Sequence, residues 1–434
     1  MNRGLILRRA VLLSATIMVS ASPLHAQAVR TGVDLSAEAE ATTNPYLDQD
    51  SNDWVGAGTV EVRPWLVSET GTDRVDLEAF ARGRAFTSSF EFEDSFGGSL
   101  RASHRASPRT SFYGQAALIS TSARSNFNRF SRGGVGGGGG FGFDPLEPTD
   151  PATPVLPSDP GIGAGGGGLG PPALPPLDDI TIIGLQGRST TLAIGAGMNR
   201  QIDTRSSLSA NVDYNRLWVT GGQISGYENV NLGLSYSRRL SERTTGGFSV
   251  TAGQSRYDEA FPKTTTLGAY VNAQHQLNGV WSLNWSLGVS SSHSPALGLL
   301  PEVNQVALAG NIGACRADAR SRLCLGLSRS QQPSTLGQVR TSDAVDVTYS
   351  ARLSARDRID LYGNYARSSA PSEIATPFDE IEIASVGATL TRALSPRLDG
   401  YVFGRASRSY GGYLANEPSI SFGVGIRARL GDRR

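Results

Sequence analysis

The chain is poor in several residue types that would announce a chemistry. Of its 434 residues, two are cysteine, three are methionine and four are histidine. Lys263 is the only lysine, so the positive charge is carried almost wholly by arginine. The formal net charge is +1, without the basic excess that a nucleic-acid partner selects. Beyond residue 26, no apolar run approaches the ~20 residues of a membrane helix. The glycine runs are not followed by Lys-Ser or Lys-Thr, which excludes a phosphate-cradling loop. Two cysteines are too few for a structural metal site, and no motif calls for a cofactor. His25 lies in the leading segment; His104 and His275 read as outward-facing near turns, and His293 starts a loop. None forms a serine-base-acid pattern, so no enzyme is expected.

Residues 1–26 read as a secretory signal. Arg3, Arg8 and Arg9 supply the charged start, residues 10–21 the apolar run, and Leu24-His25-Ala26 or Ala26-Gln27-Ala28 the small-residue cleavage site. Behind it, apolar residues recur at every second position, the period of a strand with one apolar face. Val33, Leu35, Ala37, Ala39 and Ala41 alternate with Asp34, Ser36, Glu38 and Glu40. Val75, Leu77, Ala79 and Ala81 do the same against Asp76, Glu78 and Arg82. Near the end come Ile420, Phe422, Val424, Ile426, Ala428 and Leu430. Short polar turns join many neighbours, among them Glu69-Thr70-Gly71-Thr72, Leu277-Asn278-Gly279 and Ser395-Pro396-Arg397. Residues 182–199 and 381–394 also read as strands, the second with apolar residues on both faces and an open register.

The alternation predicts about eighteen strands, with eight tight turns and nine longer or more irregular connections between them. One hairpin cannot bury its apolar face or satisfy its edges, whereas many exported hairpins can close into a membrane barrel. A soluble sandwich would want larger buried side chains than this many Ala, Gly and Ser. The pattern stops at 126–179, where two glycine runs and proline-rich stretches cannot form a packed core. That segment is either a long surface loop after strand five or an inward-folded plug. An autotransporter, with the part before residue 179 as passenger, fits poorly because that part already reads as barrel strands.

The chain therefore resembles the Gram-negative outer-membrane β-barrels, more narrowly the porins of this length associated with exopolysaccharide export. The resemblance rests on the signal, the strand count and the alternation of short and long connections. It departs from the pattern where Leu430-Gly431-Asp432-Arg433-Arg434 replaces a terminal aromatic. It implies an all-β transmembrane antiparallel barrel over residues 27–434. Short turns would face the periplasm and residues 126–179 the outside. It also implies a passive channel or export-associated pore, or alternatively a non-conducting structural barrel. Lipid and lipopolysaccharide would surround it, and sugars or polysaccharide are the solutes to consider.

Alternation places a mixed set of charges on the lumen side. In the first strands these are Glu38, Glu40, Glu61, Arg63, Asp76, Glu78, Arg82, Arg84 and Arg101. Further on they are Asp213, Asp346, Arg352, Asp399, Arg405 and Arg427, joined by Asp34, Asp360 and Arg429. They either pair and are solvated by pore water or form a mixed-charge constriction. Tyr401 and Phe403 point inward by the same parity.

The register of the hairpin around the cysteines can be checked. If outward Ala314 pairs with Leu325, and Ile312 with Leu327, then Cys315 stands directly opposite Cys324 beside a short turn. In the oxidising periplasm such a pair forms a disulfide. Alkylation of the unreduced, denatured protein followed by mass spectrometry is expected to label neither cysteine; two labelled thiols would refute the bond.

Overall fold

The computed structural model describes residues 28–45, 53–87, 92–122, 187–220, 226–258, 261–296, 302–336, 338–370, 380–411 and 417–431. The segments 1–26 and 126–179 lie outside these. Among the described residues, eighteen strands make up the fold. The first six are β1 (Ala28–Thr43), β2 (Trp54–Glu69), β3 (Asp73–Phe86), β4 (Glu93–Ser107), β5 (Thr110–Ser122) and β6 (Arg188–Gln201). Next come β7 (Ser206–Thr220), β8 (Tyr227–Arg239), β9 (Thr244–Tyr257), β10 (Thr264–Gln276), β11 (Trp281–Ser294) and β12 (Val303–Ala317). The last are β13 (Ser321–Pro333), β14 (Val339–Arg352), β15 (Asp357–Ser369), β16 (Glu380–Ser395), β17 (Leu398–Tyr410) and β18 (Ser419–Gly431). Each pairs antiparallel with the next, and β1 also pairs with β18, so the sheet closes and has no edge.

Following the pairings once around returns to β1 displaced by a net stagger of about 22 residues, which tilts the strands by about 40°. With strands ~4.8 Å apart, the backbone wall is then about 35 Å across. Inward side chains occupy only about 5 Å on each side, so the wall alone cannot fill the interior.

Between the rims the outer face is apolar because every second residue along the middle of the strands is apolar or small. On β18, Phe422, Val424 and Ile426 are more than half exposed; on β12, Val306 and Leu308 are about three-quarters exposed. An apolar surface of this extent is not stable in water and matches a hydrocarbon surround. Aromatic pairs flank it at both rims. Trp54 stacks on Phe422 at one end (6.2 Å between ring centres), and Tyr236 meets Phe248 at the other (5.5 Å).

Several local expectations are met in detail. Ala314 faces Leu325, Ile312 faces Leu327, and Cys315 is bonded to Cys324 with Cα atoms 4.1 Å apart. Strand β16, open in register from sequence, turns Val386, Leu390 and Leu394 outward and buries Ile381 and Ile383 on the inner side. Strand β6 starts at Arg188, and most of the expected extension toward residue 182 falls outside the described residues. Pro64 sits within β2, and the β2–β3 ladder skips Arg63 and Pro64 because proline has no N–H to give. Asn44 ends β1 at φ 42°, a left-handed conformation that asparagine tolerates, directly before Pro45.

The short turns share one device: a side-chain oxygen at the first turn position accepts the backbone N–H two residues on. The pairs are Thr70 with Thr72, Ser107 with Arg109, Asp203 with Arg205, and Ser241 with Arg243. The others are Asn278 with Val280, Asp318 with Arg320, Ser354 with Arg356, and Ser395 with Arg397. Short connections all fall at one rim, and both described chain ends fall there too.

In the turn after β12, Asp318 accepts the N–H groups of Arg320 (2.9 Å) and Ser321 (2.7 Å). The Arg320 amide, then the Ser321 groups, hold its carboxyl below the ordinary value of 3.8. A depressed carboxyl contributes its stabilisation above the unfolded value and loses it as pH falls through the folded one. Protection of the Arg320 and Ser321 amides, measured against their intrinsic exchange rates, is therefore expected to hold down to about pH 4 and to fall below it. In Asp318→Ala the two amides exchange fast throughout that range.

Candidate functional site

The inner face is polar, and two stretches of it differ in chemistry. Charges gather on the wall running from β17 through the closure seam to β4. Asp34 on β1 stands in register between Arg63 on β2 and Arg429 on β18. Arg63 binds Glu61 (2.6 Å) and Glu78 (3.3 Å), and Arg429 binds Asp399 (2.6 Å). The Tyr401 hydroxyl donates to Glu38 (2.9 Å), while the Arg427 guanidinium lies over the Tyr401 ring. Asp76 is bound by Arg74 (2.9 Å) and faces Arg101 across the ladder. Arg82 shares their strand face between Glu78 and Arg84.

The tightest cluster centres on Glu40. Arg84 reaches it from β3 across β2, and Arg405 reaches it from β17 across β18. Arg84 also contacts Glu93 on β4 at 3.4 Å. Side chains of Glu40, Arg84, Glu93 and Arg405 are 2%, 4%, 5% and 8% exposed, so this is a buried ion network. It ties β17, β1, β3 and β4 together around the seam between β18 and β1. Arg405 crosses β18 at Ser421, whose hydroxyl accepts its Nε–H (2.7 Å), and lies over the Phe403 ring, which is itself seated on Gly423; on β2, Ala57 faces Glu40.

From β5 to β12 the inner face changes to Ser, Thr, Asn, Gln, Gly and Tyr. Asp213 is its one carboxylate among the described residues, beside Asn211 (2.5 Å to Oδ2) and Asn215. Asp213 lies over Gly195, Asn211 over Gly233, Asn231 over Gly253, and Asn284 over Gly313. Aromatics use the same seat, with Tyr113 over Gly197, Tyr362 over Gly387 and Tyr401 over Gly425. In each case the glycine is directly opposite in the ladder, and a Cβ there would collide with the overlying side chain. Asp346 is seated likewise over Gly326, and Asp360 binds Arg358 (2.8 Å). Arg352 is exposed at the short-turn rim.

The mixed charges expected from sequence thus divide. Those of β17 to β4 share one stretch of wall, where ion pairs join Arg63 with Glu61 and Glu78, Arg429 with Asp399, and Glu40 with Arg84 and Arg405, while Asp213, Asp346 and Arg352 stand apart from it. The neutral amide wall and its glycine seats were missed. Their signal was present as Asn or Gly at alternate positions, but seating is a cross-strand property that needs the register. Toward the long-loop rim the inner side chains are nearly all buried, and Leu217, Tyr227 and Tyr257 form an apolar cluster there.

His104 lies on the outer face against Asp73 (2.7 Å), His275 against Thr244, and His293 against Asn304. No metal-ligating group of three or more such residues occurs among the described residues.

No protein-family model and no curated protein matches the chain. Solved structures are similar in fold. The chain covers 93% of itself and 99% of Pseudomonas aeruginosa OpdQ, at 9% identity and a TM-score of 0.43. It covers 92% of itself and 98% of P. aeruginosa OccK2 (OpdF), a structure in complex with glucuronate, at 12% identity and 0.43. For the FrpB iron transporter from Neisseria meningitidis the shares are 88% and 63%, at 9% identity and 0.45. The class is that of the transmembrane antiparallel β-barrels; the particular architecture is a closed barrel of 18 strands without helices among the described residues.

Removing the Glu40 carboxylate leaves two buried guanidinium groups without their shared partner. Glu40→Ala is expected to lower stability by about 3–5 kcal/mol, and Glu40→Gln by less, because the amide still accepts hydrogen bonds. Urea unfolding in detergent, followed by tryptophan fluorescence, reads the difference.

Proposed function

We propose that the chain is a passive, porin-like channel of a Gram-negative outer membrane, of the kind associated with exopolysaccharide export. Its N-terminal segment directs export, the short turns face the periplasm, and lipid and lipopolysaccharide surround the apolar belt. Hydrophilic solutes, sugars or polysaccharide among them, pass through the lumen, and no catalytic step takes place there. Glu38, Glu40, Glu61, Arg63, Asp76, Glu78, Arg82, Arg84, Arg101, Asp213, Asp346, Arg352, Asp399, Arg405 and Arg427 line the pore.

The observation that carries this reading is geometric. A closed wall of 18 strands, apolar outside and polar inside, is too wide for its own side chains to fill. The paired charges leave little net field on the inner wall, which suits solutes selected by size. A non-conducting structural barrel is the second reading. The burial of inner residues toward the long-loop rim, Ser292, Ser409 and Arg340 among them, favours it.

Purified protein in a planar bilayer is expected to give steady single-channel steps whose conductance rises with salt. Silence at every voltage in correctly folded protein would replace the channel with the structural barrel.

A further inference from the structure

Net charge near zero hides a separation of charge along the barrel axis. At the long-loop rim, three outer-face arginines have acidic partners, Arg188 with Asp94, Arg216 with Asp258 and Arg329 with Asp343, and Arg408 lies over the Tyr410 ring. The inner wall is paired as well, through Arg63, Arg84, Arg405 and Arg429. The short-turn rim differs. Arg109, Arg205, Arg243, Arg320, Arg356 and Arg397 occupy the same turn position, and all are exposed. Each has its backbone N–H anchored by the first turn residue, so the turns hold the charges in a ring. Arg30, Arg74, Arg316, Arg358, Arg392 and Arg429 each pair with a carboxylate near this rim. Among the described residues none of the six turn arginines forms an ion pair; the nearby carboxylates of Asp203 and Asp318 accept backbone amides, Asp318 also meets Arg316, and the exposed Glu242 beside Arg243 offsets part of one charge.

We infer that this arginine ring makes the short-turn mouth an anion-collecting vestibule, so that small anions permeate in preference to cations at low ionic strength. The inference rests on the channel reading and assigns it a solute charge. A mouth lined by one sign of charge raises the local concentration of the opposite ion. Reach decides when this matters. The wall lies about 17 Å from the axis, against a screening length of about 30 Å at 0.01 M salt, 10 Å at 0.1 M and 3 Å at 1 M. The ring's field therefore spans the mouth in dilute salt and collapses onto the wall in concentrated salt.

The test is the reversal potential of single channels under a potassium chloride gradient, in wild type and in the sixfold Arg→Gln variant of the ring. Glutamine keeps the backbone N–H that each turn needs, so the variant folds, which heat-modifiable gel mobility checks. Arg216→Gln with Arg329→Gln, at the opposite rim, serves as the control. Wild type is expected to favour chloride by about threefold or more near 0.01 M salt and to approach equal permeation at 1 M. The control is expected to behave as wild type and the sixfold variant to lose most of the preference. Channels that conduct without a chloride preference in dilute salt, or whose preference survives the sixfold change, overturn the vestibule and leave the channel reading standing. Folded protein that never conducts overturns both.

Discussion

The structure depends on one constraint: a backbone N–H or C=O facing hydrocarbon must find its partner within the protein. A flat sheet of any length leaves two edges, and in lipid each unpaired edge group costs several kcal/mol. Pairing of β1 with β18 removes both edges. Once the sheet is closed, the side-chain period of two divides every strand between lipid and lumen. The small residues of the outer face, Ala37 and Ala39 on β1 or Ala79 and Ala81 on β3, have no core to fill, because hydrocarbon rather than protein packs against them.

Closure places a demand on the seam, the contact between the first and last strands of the chain. The Glu40 network meets it with arginines that reach over an intervening strand from either side. A buried charge array is costly by itself and is sustained by mutual pairing. Hydroxyl bonds extend the seam toward the long-loop rim, with Ser419 donating to the Thr43 carbonyl and Ile420 N–H donating to the Thr43 hydroxyl. The glycine seats answer a related problem. An inward side chain wider than the strand spacing can lie flat only where the opposed residue lacks a Cβ. The position of Gly425 under Tyr401 is therefore a packing requirement, not a turn.

The turns connect local chemistry to the electrostatics of the whole. Their first residue is chosen for a side-chain oxygen, whose role is to hold the backbone amides that follow it within the turn. The residue two positions on is free of that role, and arginine recurs there. A ring of charge thus arises from repeating a local motif around a closed wall, although the chain as a whole is nearly neutral.

The sequence by itself determined the strands, their faces and most of their turns, because a period of two and an oxygen-bearing turn residue are local signals. The Cys315–Cys324 pairing was legible as well, since the apolar alternation fixes the faces and a short turn joining Ala314 to Leu325 sets the two cysteines opposite each other. The facing of β16 was not legible: Ile381 and Ile383 are inward and Val386 and Leu390 outward, and only the neighbouring ladders decide between them. The strand stagger, the meeting of Glu40 with Arg405 across 365 positions, and the split of the lumen into a charged and an amide wall were settled by closure. These are properties of strands brought side by side, and no window along the chain contains them.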